Sequence, residues 1–331
     1  MKKALIAIVL SALIMSTGGI ILFAKVIDAL EKYPSPYYSN EVNDMIVETS
    51  DNEITVNPHS GKSTAVAQDE ERHPSLDGLP KYQVFLDDES CHDFKWFSEA
   101  FSFAKSNEKA KIYYRKSDSI IWDTFSENPS SHKIKNVEKI AQYPELPRGC
   151  EVTSLAMLLN YMDIAADKIA LSEEIRKDKT PYSVIDGKIR FGNPHYGFVG
   201  SMTDRSEPGF GVYNEPIFDL LEKYAPNTSI NMTGADFGDL KFFINRDVPV
   251  WVIINVTYQK LPESEFITWR TSYGDVRVTY REHSVLITGY DEHRIYFNDP
   301  LMNTDSASYR SFVECWEQMG RQAVTLAPTL S

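Results

Sequence analysis

"QYPELPRGCEVTSLAMLLNYM", residues 142–162, joins a polar, proline-broken approach to an apolar helical pattern, with a cysteine, Cys150, at the junction. Val152, Leu155, Ala156 and Leu159 recur at helical spacing and predict a helix over 150–162 with one buried face. "PELPRG" supplies the break that starts the helix there, and Gly149 lets the backbone approach closely. The first turn of a helix presents unpaired N–H groups and a partial positive charge. That field favours a thiolate and lowers a cysteine's pKa. The stretch alone leaves two readings open: a small packed residue at a helix start, or a nucleophile.

A thiolate nucleophile needs an acid–base partner, and histidine is the usual one. The chain has seven, and His283 stands apart because it begins a strongly apolar strand. "EHSVLITGYDEHRIYFNDP", 282–300, reads as a hairpin turning near Gly289–His293. A register that sets His283 opposite Asp299 also sets Val285 against Phe297 and Ile287 against Ile295, collecting the aliphatic residues on one face. A carboxylate opposite the imidazole would fix its tautomer and stabilise the imidazolium. Each residue alone also reads as an ordinary polar strand end. Gln142, eight residues before the cysteine, could add a side-chain N–H to the backbone N–H of Cys150 as an oxyanion donor, although a solvated loop residue is the plainer reading.

Around these segments the chain reads as α+β. Helices are expected at 150–162, 168–178, 215–225 and 236–246, with a Gly/Pro/Asn-rich stretch at 192–216. Strands follow at "VPVWVIINVTY", "EFITW", "VRVTY", "HSVLITGY" and "RIYFND", then a helix at about 308–319 and a last strand "QAVTL". Helices first and an antiparallel sheet after exclude a doubly wound parallel sheet. This main domain spans 133–328. Before it, 81–125 reads as a small α+β module, with strands at "YQVFL", "KIYYR" and "SIIWD" and a helix at "DFKWFSEAFSFAK". Its phenylalanine stripe is read as core, and a unit this small should dock on its neighbour.

The N-terminus reads as an address. Lys2 and Lys3 precede an uncharged stretch from Ala4 to Ala24, which as a helix would span roughly 30 Å, the thickness of a bilayer core. Segment 1–27 is therefore expected to be a membrane anchor with the remainder outside the cell; a cleaved signal and a secreted product are the alternative. Residues 28–80 hold eleven acidic against three basic residues and no apolar period, the composition of a disordered stalk. "HSGKST" at 59–64 lacks the first glycine of a phosphate-binding loop. A net charge of −13 and the lack of any basic run exclude a nucleic-acid binder of the ordinary kind. Three cysteines are too few for a disulfide scaffold; Cys91 and Cys315 could pair, and the sequence leaves that open. Cys150 and His283 have no Cys or His neighbours at ligand spacing, so neither a metal nor another cofactor is expected.

The segments "QYPELPRGCEVTSLAMLLNYM", "GFVGSM…GFGVYNEPI", "VPVWVIIN", "HSVLITGYDEHRIYFNDPL" and "FVECWEQMGRQAVTL" resemble, in this order, the bacteriocin-processing-peptidase-like family (family 39 of the cysteine peptidases), over about 135–326. The small module resembles one often found before this domain in Gram-positive bacteria. The resemblance implies a papain-like fold with Cys150 as nucleophile, His283 as base, Asp299 as orienting acid and Gln142 as oxyanion donor. Arg148 stands where a Ser or Thr is usual and Asp247 where a Gly is usual. Neither removes a catalytic atom, and Arg148 could alter substrate charge preference. Arg148, Gly149 and Glu151, which flank the nucleophile, are the expected substrate contacts.

The function expected is that of a membrane-anchored, outward-facing cysteine peptidase acting on a peptide or protein substrate. Two alternatives stand beside it: an idle cell-surface binding module on the same scaffold, and a cell-wall amidase that uses the same three residues on peptidoglycan. Without multiple spans or a nucleotide-binding loop, the leader-trimming role of transporter-fused relatives is not expected.

Overall fold

The computed structural model describes residues 80–115 and 120–328. The expected membrane helix at Ala4–Ala24 and nearly all of the stalk lie outside them. Among the described residues no helix is long and apolar enough to cross a membrane. Residues 204–208 belong to a separate unit, in which Asp204 Oδ1 accepts from the backbone and hydroxyl of Ser206.

The N-terminal part is a four-stranded antiparallel sheet, β2-β1-β3-β4, with one helix. Its strands are β1 (Tyr82–Phe85), β2 (Cys91–Phe94), β3 (Lys111–Tyr114) and β4 (Ile120–Asp123), and the helix is α1 (Phe97–Lys105). The helix expected from Asp93 starts four residues later, because Cys91–Phe94 pairs with Tyr82–Phe85 as a strand. The Phe stripe is core-facing: the Phe97 and Phe101 rings stack at 5.7 Å, and Phe101 meets Trp122 edge-on at 4.7 Å. This sheet docks on the larger part of the chain. Lys105 Nζ reaches Asp236 and Asp239 at 2.9 and 2.8 Å, and Asn245 Nδ2 donates to Asn128 Oδ1 at 2.8 Å.

The larger part is built on an antiparallel sheet ordered β10-β17-β11-β14-β15-β16, with β5 (His132–Lys133) also on β14. Its other strands are β10 (Ser229–Asn231), β11 (Val250–Asn255), β14 (Glu282–Tyr290), β15 (Arg294–Asn298), β16 (Ser306–Ser308) and β17 (Ala323–Leu326). Four helices follow α1 before the last strands: α2 (Cys150–Tyr161), α3 (Lys168–Glu174), α4 (Asn214–Tyr224) and α5 (Phe237–Ile244); α6 (Tyr309–Gln318) precedes β17. The amphipathic expectation for α2 is too weak. Every residue from Cys150 to Leu159 is buried, so α2 is a central helix covered all round.

The 192–216 stretch is irregular apart from β9 (Phe198–Val199), which pairs in parallel with β6 (Lys177–Asp178). A hairpin not expected from the sequence precedes it, β7 (Ser183–Ile185) and β8 (Lys188–Arg190). Its turn, Asp186-Gly187, is a strong two-residue hairpin signal, with φ of +52° and +71°. β8 continues into a small sheet with β12 (Ile267–Thr271) and β13 (Gly274–Val278).

The β14–β15 register differs from the expected one. Leu286 pairs with Asn298 and Ile287 with Phe297, and after a bulge Tyr290 pairs with Ile295. His283 and Asp299 are therefore not cross-strand partners. The turn is tighter than expected, because Asp291 Oδ1 accepts from both His293 N and Arg294 N at 2.7 Å and so keeps Tyr290 in the strand. The burial pattern also misled. Hydrophobic alternation fixes a register when one face is wet, but β14 is covered on both faces from His283 to Tyr290.

Candidate active site

α2 is fastened at its first turn. Gly149 N–H bonds to Leu146 O at 3.0 Å, and a Cβ on Gly149 would lie 2.5 Å from Leu146 Cβ, so the residue before the cysteine must lack a side chain. Trp251 on β11 donates its indole N–H to Glu151 O at 2.9 Å, and Ser154 Oγ donates to Ser284 O at 3.2 Å. These two bonds tie the helix start to the strands that carry Trp251 and His283.

Cys150 is buried, and its thiol does not have the lowered pKa expected of a helix start. Burial pushes it well above the ordinary value, and the charges of Glu151 and Glu282 add to the effect. The Ser284 backbone N–H works the other way. The sulfur donates to Glu151 Oε2 at 3.3 Å, and no hydrogen bond joins it to His283. The helix field is present, but loss of water and two neighbouring carboxyls outweigh it.

His283 and Asp299 do meet. The His283 ring nitrogen Nε2 lies 2.8 Å from Asp299 Oδ1, and both residues are buried. Burial disfavours the Asp299 carboxylate, but the bond to His283 and its charge, the Tyr258 hydroxyl and the Leu301 N–H outweigh it, and the pKa is lowered. The Tyr258 hydroxyl donates to Oδ2 at 2.7 Å and the Leu301 N–H to Oδ1 at 2.8 Å. The pair forms without cross-strand registry because Asp299 sits just past the end of β15, in a turn held by its own carboxylate.

A carboxylate whose folded pKa is depressed contributes stability above its unfolded value of about 3.9, and loses it as pH falls through the folded pKa. Asp299→Asn should therefore be less stable than the parent at pH 7, and the gap should narrow below about pH 4. Urea midpoints at pH 7 and pH 3 measure this, and a gap of constant size would contradict it.

The remaining expected residues fall differently. Gln142 is buried beside the cysteine turn, with its backbone N–H on Pro300 O at 3.0 Å. Its amide nitrogen donates to Leu146 O and Pro147 O at 3.2 and 3.0 Å, so both amide hydrogens are engaged, while Oε1 has no partner. In this conformation Gln142 braces the turn and offers no oxyanion donor. Arg148 is half-buried, with Nη1 on Ser201 O at 3.2 Å. Glu151 is 0 % exposed, which removes it as a substrate contact. Its Oε1 accepts the Val212 N–H at 2.7 Å. All three cysteines are free thiols; Cys315 is buried and accepts the Asn255 N–H, and Cys91 is exposed.

Sequence reading missed Tyr258 and Glu282. Tyr258 lies at φ +56° in the turn after β11, stacked 5.2 Å from Phe297, and no local signal marks it. Glu282 could have been suspected, because an acidic residue directly before the candidate base is a costly neighbour for a thiol. Cys150 Sγ and a carboxylate oxygen of each of Glu151 and Glu282 all lie within 4.8 Å of one another. The thiol–carboxylate hydrogen bond accounts for that closeness, and we assign the group no metal.

The sequence model of the peptidase C39-like family matches residues 134–324. The chain is 39% identical over 184 residues to the uncharacterized protein YvpB of Bacillus subtilis (strain 168), covering 55% of this chain and 70% of that protein. It is also similar to a crystal structure from Bacillus anthracis, given provisionally as a C39-like peptidase. That match has a TM-score of 0.57 and 42% identity, and covers 61% of this chain and all of that one. The helix-start cysteine, the buried histidine–aspartate pair and these matches agree: the chain belongs to the peptidase C39-like family.

Proposed function

We propose that this chain is a membrane-anchored, outward-facing cysteine peptidase of papain-like type, with Cys150 as nucleophile, His283 as base and Asp299 as the acid that orients it. The observation that carries the reading is the buried His283–Asp299 pair, with His283 on the strand whose next residue, Ser284, accepts the Ser154 hydroxyl of the helix that Cys150 begins. In the reaction the thiol proton passes to His283 Nδ1, the nitrogen not facing Asp299. The thiolate adds to a peptide carbonyl, and the Cys150 N–H, which has no helical carbonyl to bond, receives the oxyanion. The C–N bond breaks as the imidazolium gives its proton to the leaving amine. Water, deprotonated by His283, then hydrolyses the thioester. Gln142 would add a second oxyanion donor only by releasing one of its two carbonyls. The Lys2–Ala24 segment supports the membrane placement, with peptides, proteins or wall-linked chains outside the cell within reach.

The test is to incubate the full chain with a casein digest and read new peptide N-termini by mass spectrometry, beside Cys150→Ala. New termini made only by the parent support the reading, and none from either protein overturns it. A second reading, an idle surface-binding module, is favoured by one observation: the thiol is bonded to Glu151 and its pKa is raised.

A further inference from the structure

Glu151 is a buried acid and Glu282 a half-buried one, and the proposed reaction uses neither. Glu151 is fixed from three directions: Val212 N–H on Oε1, the thiol on Oε2 and the Trp251 indole on its backbone carbonyl. Glu282 is half-buried, with Oε1 covered and without a partner. Gly211 closes the other side. A Cβ there would come within 2.4 Å of Glu151 Oε1 and 2.8 Å of Glu282 Oε2, so the loop backbone presses directly on both carboxyls. Two carboxyls this close cannot both ionise freely: burial raises the pKa of each, and the charge of Glu151 raises that of Glu282 further. His283 stands beside Glu282 on β14, and the charges of Glu151 and Glu282 reach the buried Tyr213 in the loop before α4, which also feels Glu215 of α4 and Arg277 of β13. Arg277 is engaged elsewhere, with Nη2 on Glu263 at 2.6 Å, and it is half exposed. Among the described residues no ion pair to Lys, Arg or His is formed by either carboxyl.

We propose that Glu151 and Glu282 form a latch on the nucleophile: they hold the Cys150 thiol on Glu151, and it must leave that contact before it can hand its proton to His283. The latch rests on the peptidase reading for its purpose, but not for its detection. Glu151 is thus a positioning residue that sets the resting state of the sulfur. A thiolate formed in place would face two carboxyls, so the resting site is protected from alkylation and oxidation. Reactivity appears only when the sulfur turns away, for instance when a bound substrate displaces it.

The test is the rate of iodoacetamide modification of Cys150 in the full chain, followed on its own peptide by mass spectrometry from pH 5 to 11. Glu151→Gln keeps an acceptor for the Val212 N–H and removes the charge. Its modification midpoint should fall by at least about one unit, which makes it about tenfold faster near neutral pH. Glu282→Gln should move the midpoint the same way by less, and it decides the matter if Glu151→Gln does not fold. An unchanged or higher midpoint overturns the latch, including a faster rate at every pH, which would mean only a loosened site. A lowered midpoint in a protein that cleaves no peptide keeps the latch and removes the peptidase reading.

Discussion

His283→Ala lowers kcat for peptide cleavage by about 10⁴-fold and leaves KM within a few fold. The size follows from what the imidazole is asked to do. In the proposed reaction it takes the thiol proton, protonates the leaving amine and activates water, three steps that share one group. Because the Cys150 thiol is pushed well above its ordinary pKa, little thiolate forms without a base. The variant also loses stability. Asp299 is fully buried and its strongest partner is gone, so a cost of about 3 kcal/mol is expected, the low end for a broken buried pair. The low end applies because Tyr258 OH and the N–H groups of Leu301 and Asn303 still solvate the carboxylate. Steady-state kinetics on protein verified as folded by circular dichroism measures the effect. Activity within tenfold of the parent would mean that another group takes the thiol proton, and Glu151 is the one already bonded to it.

Much of this was legible in the chain. A cysteine after a proline-broken turn, followed by apolar residues at helical spacing, located α2. A histidine opening an apolar strand, with "NDP" closing the next one, located the pair that meets at 2.8 Å. The electrostatics were not legible. A helix start argues for a low thiol pKa, but that argument counts only the local backbone. Glu282 lies 132 residues from Cys150 in sequence, and only folding brings it to the sulfur. The registry failed for a related reason. Alternation identifies a buried face only when the other face meets water, and β14 has no such face between His283 and Tyr290. The β7–β8 hairpin is a different kind of miss, since its Asp-Gly turn was visible and the Gly/Pro-rich region after it drew attention away.

Trp251→Ala destabilises the chain by about 4 kcal/mol, which for a domain of this size lowers Tm by about 8–16 °C. Trp251 is fully buried near the start of β11, paired with Leu286 on one side and Val324 on the other. Truncation to alanine leaves a cavity between the sheet and α2, and strands paired on both edges cannot collapse to fill it. Trp251→Phe separates packing from position. It keeps most of the apolar contact but removes the indole N–H from Glu151 O. That carbonyl keeps its helical partner, so the lost bond costs only about 1 kcal/mol. The functional effect is larger than that figure suggests. The indole bond is one of two that tie the first turn of α2 to the sheet, and the first turn carries the nucleophile. Displacement of a reacting atom by about 1 Å can cost about 10²-fold, and with Ser154 still bonded to Ser284 O a loss nearer tenfold in kcat is expected. Thermal melts and kinetics on the same two variants test this together. If Trp251→Phe melts near the parent with kcat down and KM unchanged, the indole positions the sulfur. If kcat stays at the parental value, Trp251 is a packing residue, and Ser154 alone holds the helix start in place.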